Sequence, residues 1–153
     1  MKFQGIKNIN SKGLTLTEIL VVIAILTSLM LISIPFFRNF KPTLQLGGVA
    51  REIITDLRYI QQFTITEQVE YCLKFFETEK KYQIIKCEGE VVLKEKFLPE
   101  EIKIITVDGF TNNIVRYNPY GAAAEEGTII LENTNNAIKT IEVKVSGFVK
   151  ITD

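Results

Sequence analysis

The chain predicts an α+β fold in which one long N-terminal helix precedes an antiparallel β-rich head. Three observations carry this reading. Residues 14–37 are almost wholly apolar. Residues 38–66 then place apolar side chains at spacings of three and four. From about residue 67 onward, short β-branched or aromatic segments alternate with turn residues. A helix first and a series of short strands after it is the element order of an α+β protein.

The first 12 residues hold Lys2, Lys7 and Lys12 and no acid, the positive leader of an exported chain. The apolar run that follows, Ile19 to Phe37, is interrupted only by Thr27, Ser28, Ser33 and Pro35. At about 1.5 Å per residue it nearly spans a hydrocarbon core of about 30 Å. No A-x-A-like cleavage site follows it, which separates it from an ordinary secretory signal. The basic leader puts the N-terminus in the cytoplasm and the head outside the membrane. Pro35 removes one helical hydrogen bond and predicts a kink; its plainer reading is the end of a membrane helix. Glu18 is the anomaly. A carboxylate at the head of an apolar stretch costs at least a few kcal/mol in a bilayer unless it is partnered.

Next, Leu46, Val49, Ala50, Ile53, Leu57, Ile60 and Phe63 form one apolar stripe, with Arg51, Glu52, Asp56 and Arg58 between them. This is an amphipathic helix with a single buried face. Lys41-Pro42 and Gly47-Gly48 are weak points where it is expected to bend. Eight strands follow, at 68–76, 82–87, 90–97, 102–107, 114–117, 128–132, 139–145 and 147–151. Asp108-Gly109, Asn112-Asn113, residues 133–136 and Ser146-Gly147 supply turns between them. Residues 118–127, small and polar, read as an exposed, mobile loop. The organisation expected is a leader (1–13), a membrane or filament-core helix (14–37), an amphipathic helix (38–66) and a β-rich head (67–153). Without leader and apolar helix, roughly 115 residues remain, enough for one small core.

Composition narrows the function. The chain has 18 basic and 18 acidic residues, and the leader holds three of the bases, so the remainder is net acidic by three. That argues against nucleic-acid binding by overall charge. There is no His, which removes Ser-His-Asp, Cys-His and HExxH chemistry together. Two cysteines without a CxxC give no cysteine-rich metal site. No cofactor or enzyme signature is present. Glu100-Glu101, adjacent on a strand, would point to opposite faces and make a poor acid/base pair. Glu125-Glu126 reads as a solvated loop rather than a cation site.

The segment from Lys12 through Leu26, KGLTLTEILVVIAIL, resembles the class III signal of type IV pilins and type II secretion pseudopilins. The resemblance implies that a prepilin peptidase cuts between Gly13 and Leu14, that Leu14 is then N-methylated, and that Glu18 aids filament assembly. The family usually has Phe where this chain has Leu14. It also commonly carries a Pro at the place of Pro35. The implied partners are the peptidase, other pilin or pseudopilin subunits, and the cytoplasmic membrane before assembly. Cutting exposes an α-amine at Leu14, so a cation accompanies the carboxylate; four residues apart on a helix, the two would share one face. The amine partnering Glu18 could belong to a neighbouring subunit or to the same one.

More loosely, residues 57–62, 69–73, 117–121, 127–131 and 141–149 resemble a minor-pilin branch that includes the H pseudopilin and the T-type minor pilins. The competence pseudopilins of Gram-positive bacteria are close relatives. This implies a low-abundance structural subunit that primes assembly or sits at a filament tip, with no enzymatic activity.

Cys72 and Cys87 are placed opposite each other if residues 78–81 close a tight turn, within disulfide reach. Two reduced core cysteines, or a shifted register, are the alternatives. Lys74, Lys80, Lys81, Lys86, Lys94, Lys96 and Lys103, with Tyr82 and Phe97, sketch a basic face for single-stranded DNA. Interleaved Glu77, Glu79, Glu88, Glu90 and Glu95 oppose it. The remaining rivals are a signal-anchored domain of unrelated activity and a tethered hydrolase using carboxylates alone.

Overall fold

The computed structural model describes residues 13–152. The basic leader falls almost entirely outside the described residues. The chain forms two units, residues 1–37 and 38–153. Helix α1 spans Leu16–Glu67 and contributes to both.

In the first unit, Leu16–Ile34 is helical, apolar and exposed, long enough to cross a membrane. Its polar interruptions satisfy themselves. The hydroxyls of Thr27, Ser28 and Ser33 donate to the carbonyls of Ile23, Ala24 and Leu29 at 2.6, 2.8 and 2.9 Å. Such back-bonding leaves no hydroxyl needing water inside a hydrocarbon layer. The backbone stays helical at Pro35, so the helix does not end there.

In the second unit, α1 is likewise unbroken through Pro42 and Gly47-Gly48. The predicted stripe is the buried face. Leu46, Val49, Ala50, Ile53, Leu57 and Ile60 join the core, and Phe63 packs at its margin. A Cβ added at Gly47 or Gly48 would meet nothing within 4 Å. Glycine inside a helix costs about 1 kcal/mol relative to alanine. Gly47→Ala and Gly48→Ala are therefore each expected to stabilise the unassembled chain by about 1 kcal/mol, read as a raised unfolding midpoint of the full chain in detergent.

Eight strands follow: β1 Tyr71–Phe76, β2 Lys81–Lys86, β3 Val91–Phe97, β4 Ile102–Asp108, β5 Ile114–Tyr117, β6 Gly127–Asn133, β7 Ile138–Val143 and β8 Val149–Thr152. They make two four-stranded sheets, β3-β2-β1-β5 and β4-β6-β7-β8, with every pairing antiparallel. Alternating residues of both sheets (Leu73, Phe75, Ile84 and Val115 from one, Ile104, Ile129, Leu131 and Ile141 from the other) share one core with the helix stripe. Open strand edges invite unwanted pairing, and bulges and charges blunt them. The β3 edge carries Lys94, Glu95 and Lys96 and a bulge opposite Ile84/Ile85. The β4 edge is bulged between Ile104 and Thr106. At β5, Ala124 N–H donates to Arg116 O at 2.9 Å.

The loop after β5 corrects the expectation of a mobile segment. Ala123 is buried, and its N–H donates to Val145 O at 3.0 Å. Asn118 Oδ1 accepts from the N–H groups of Tyr120 and Ala122. From the helix, Gln61 Nε2 donates to Gly121 O at 2.7 Å. Gly147 (φ +81°) completes the junction, because a Cβ there would lie 2.2 Å from Gln61 Nε2 and 2.3 Å from Gly121 O. Alanines in the sequence signalled small size, and small size is what lets two loops and a helix close on one another.

Candidate functional site

The site indicated by the sequence is the start of α1. Gly13, Leu14 and Thr15 are non-helical and exposed. The Gly13–Leu14 bond therefore lies outside the helix. In the uncut chain Leu14 precedes α1, which begins at Leu16. The reason is a reciprocal cap. Thr15 N–H and Thr15 Oγ1 each donate to Glu18 Oε2 at 3.2 Å, and Glu18 N–H donates to Thr15 Oγ1 at 3.2 Å. Thr17 Oγ1 lies 3.0 Å from Thr15 Oγ1. This is a capping box, with Thr15 at the N-cap and Glu18 three residues on. The pattern T-x-x-E before an apolar run was present in the sequence and is the signal that would have revealed it. Glu18 thus neutralises the positive helix end while the leader is still attached.

In the head, Cys72 and Cys87 form a disulfide with Cα atoms 5.5 Å apart. The expected register is wrong by two residues. The turn covers Glu77–Lys80 rather than 78–81, so Cys72 pairs with Ile85, and Cys87 lies beyond β2 with its N–H donating to Glu70 O at 3.0 Å. A two-residue slip keeps a side chain on the same face of the sheet, so the sulfurs still meet, diagonally. Closing a loop of this length contributes about 3 kcal/mol. Replacing both cysteines by Ala is expected to remove about that much, measured by denaturant unfolding of the full chain with and without reductant, where the double variant should show no reductant dependence.

Four of the seven lysines of the proposed basic face are held in ion pairs. Lys74 pairs with Glu90, Lys81 with Glu79 and Glu95, Lys96 with Glu52 and Asp56, and Lys103 with Glu132. Tyr82 is buried and takes no part in any outer surface. Its hydroxyl donates to Asp56 Oδ2 at 2.7 Å, where Lys96 Nζ also lies at 2.7 Å. Burial, reinforced by that hydrogen bond, pushes the Tyr82 phenol far up. Asp56, read from the sequence as part of the wet face, is a buried carboxylate joining helix to sheet.

The adjacent acids Glu100-Glu101 and Glu125-Glu126 are engaged separately. Glu101 pairs with Lys41 at 3.1 Å, and Lys80 Nζ donates to Glu100 O. Glu125 accepts from Thr111 N–H at 2.7 Å and Thr111 Oγ1 at 2.6 Å. These two bonds, the hydroxyl first, hold its carboxyl below the usual range. A lowered carboxylate pKa favours the fold above the unfolded value and is lost as pH falls through the folded one. Thr111→Ala should therefore raise the Glu125 titration midpoint towards an ordinary glutamate, as followed by NMR of the side-chain carboxyl. Among the described residues, no group of three or more His, Cys, Asp or Glu side chains could hold a metal ion.

Residues 8–34 match the family model described as the prokaryotic N-terminal methylation motif. The fold is similar to that of the type IV minor pilin FimU of Pseudomonas aeruginosa, with a TM-score of 0.61 at 12% identity, over 74% of this chain and 92% of that one. It is also similar to the minor pseudopilin EpsH from the Type 2 Secretion System of Vibrio cholerae, with a TM-score of 0.59 at 7% identity, over 71% of this chain and 96% of that one. No curated relative matches this sequence. The N-terminus thus carries the prokaryotic methylation motif, and the fold is similar to that of a minor pilin and a minor pseudopilin. The motif overlaps the apolar helix Leu16–Ile34, which is long enough to cross a membrane.

Proposed function

We propose that the chain is a minor pilin or pseudopilin, incorporated into a type IV pilus-like filament after a prepilin peptidase cuts between Gly13 and Leu14. The observation that carries this reading is the capping box set directly behind an exposed, non-helical Gly13–Leu14 bond. Cutting there leaves a Leu14 amine, N-methylated in the family, one residue ahead of the N-cap. Glu18 then has two uses. It caps its own helix, and it offers a counter-ion to an N-terminal amine, its own or a neighbour's. Pro35 softens the helix between membrane and head. The head faces away from the cytoplasm, displayed on the filament surface or tip.

Fractionation of sheared filaments from the host tests the role. The chain should appear in the filament fraction, at low stoichiometry, and should leave it when the peptidase is deleted. A chain confined to membranes in cells that assemble filaments would overturn the proposal. The DNA-capturing variant of this role is less well supported, since Lys74, Lys81, Lys96 and Lys103 of the basic face are paired with carboxylates in place.

A further inference from the structure

The two sulfurs of the head disulfide are not equivalent. Cys72, in the middle of β1, is 1% exposed. Cys87, just past β2, is partly exposed and lines an open cleft of about 460 Å³ with Gln68, Val69, Glu70, Glu88, Arg116 and Pro119. An attacking thiolate must approach the sulfur it joins in line with the bond it breaks. Only the Cys87 side offers such room.

Arg116 adds chemistry to the access. It is the direct β5 partner of Cys72 on β1, so the two side chains leave the same face of the sheet. Its guanidinium forms no ion pair among the described residues, although its field reaches Glu125. A departing Cys72 sulfur is born as a thiolate in a buried place. Burial opposes that charge, and a neighbouring guanidinium favours it. Exchange is faster when the leaving thiol is more acidic.

We propose that Cys87 is the entry site for thiol–disulfide exchange in this head, with Cys72 as the leaving sulfur held by Arg116. In reduction, an external thiolate attacks Cys87 Sγ; the new S–S bond forms there, the Cys72–Cys87 bond breaks, and its electron pair stays on Cys72. In oxidation the same path runs backward. The Cys87 thiolate first attacks one sulfur of a disulfide-bearing oxidant; a mixed disulfide forms on Cys87, the oxidant's own S–S bond breaks, and its other sulfur leaves as a thiolate. The Cys72 thiolate then attacks Cys87 Sγ, and the oxidant's sulfur leaves as a thiolate carrying the electron pair. Glu70 and Glu88 on the cleft wall repel an anionic reagent and set the rate below that of a neutral thiol.

The test uses the full chain in detergent, without denaturant, at fixed pH, with reduced glutathione as the probe. Samples are quenched by rapid alkylation and mapped by peptide mass. The expected product carries glutathione on Cys87 and the alkyl group on Cys72. Arg116→Ala should slow adduct formation by about 3- to 10-fold, and Arg116→Lys should restore most of the rate. Neutral 2-mercaptoethanol should react faster than glutathione at equal thiolate concentration. Adduct on Cys72, or shared equally, would overturn the assignment even without any variant. So would reaction that begins only at denaturant concentrations that unfold the head. An Arg116→Ala rate equal to that of the parent would remove Arg116 from the mechanism.

Discussion

Replacing Asp56 by Ala is expected to destabilise the head by about 3 kcal/mol, the largest loss from any single polar side chain in it. The carboxylate is buried and holds two partners through one oxygen, Tyr82 Oη and Lys96 Nζ, each at 2.7 Å. Tyr82 itself is 3% exposed, so its hydroxyl has no water to turn to when the acceptor goes. A buried donor left unsatisfied costs about 1–3 kcal/mol, and Lys96 would retain only its bond to the more exposed Glu52. Burial acts against the charge on Lys96, and Asp56 with Glu52 outweigh it, so its pKa is raised. Asp56→Asn keeps an oxygen for Tyr82 while losing the charge, and about half the penalty should remain. Denaturant unfolding of the full chain in detergent measures both. A loss under about 0.5 kcal/mol for Asp56→Ala would mean that the network is ornamental.

The second large effect concerns assembly. Under the proposed function, Glu18→Ala should lower filament incorporation at least tenfold, and magnitudes identify which role of Glu18 is responsible. Losing a helix cap costs about 0.5–2 kcal/mol. Leaving a Leu14 ammonium buried without its counter-charge costs about 3–5 kcal/mol. The charge should therefore dominate. Glu18→Gln keeps an oxygen for the Thr15 N–H and loses the charge; it should fail nearly as badly as Ala. Thr15→Val removes the hydroxyl of the cap and keeps the charge; it should assemble close to normally. If Thr15→Val is as defective as Glu18→Ala, helix capping rather than ion pairing is what assembly needs.

The helix and all eight strands were legible because each signal is local. The stripe from Leu46 to Ile60 repeats at helical spacing, and the strands are separated by turn residues such as Asp108-Gly109 and Ser146-Gly147. Less legible was anything set by partners distant in sequence. Asp56 sits among Glu52 and Arg58, and nothing local shows that Tyr82 and Lys96 will enclose it. Likewise the 118–127 loop looks slack until Gln61 and Val145 fasten it. The division into two sheets depends on pairings between β4, β6, β7 and β8 that no single segment encodes. For Cys72 and Cys87 the pairing was right although the turn was misplaced, since a slip of two residues preserves the face. At Glu18 the sequence carries two messages, a charge needing a partner and a T-x-x-E cap.

The most direct measurement is the intact mass and N-terminal sequence of the protein recovered from its host membrane. The expected result is a chain that begins at Leu14 and carries one added methyl group on its α-amine. A chain retaining residues 1–13 where the prepilin peptidase is active would contradict it. Glu18 would then have only Thr15 to hold, and the molecule would be an anchored head rather than a filament subunit.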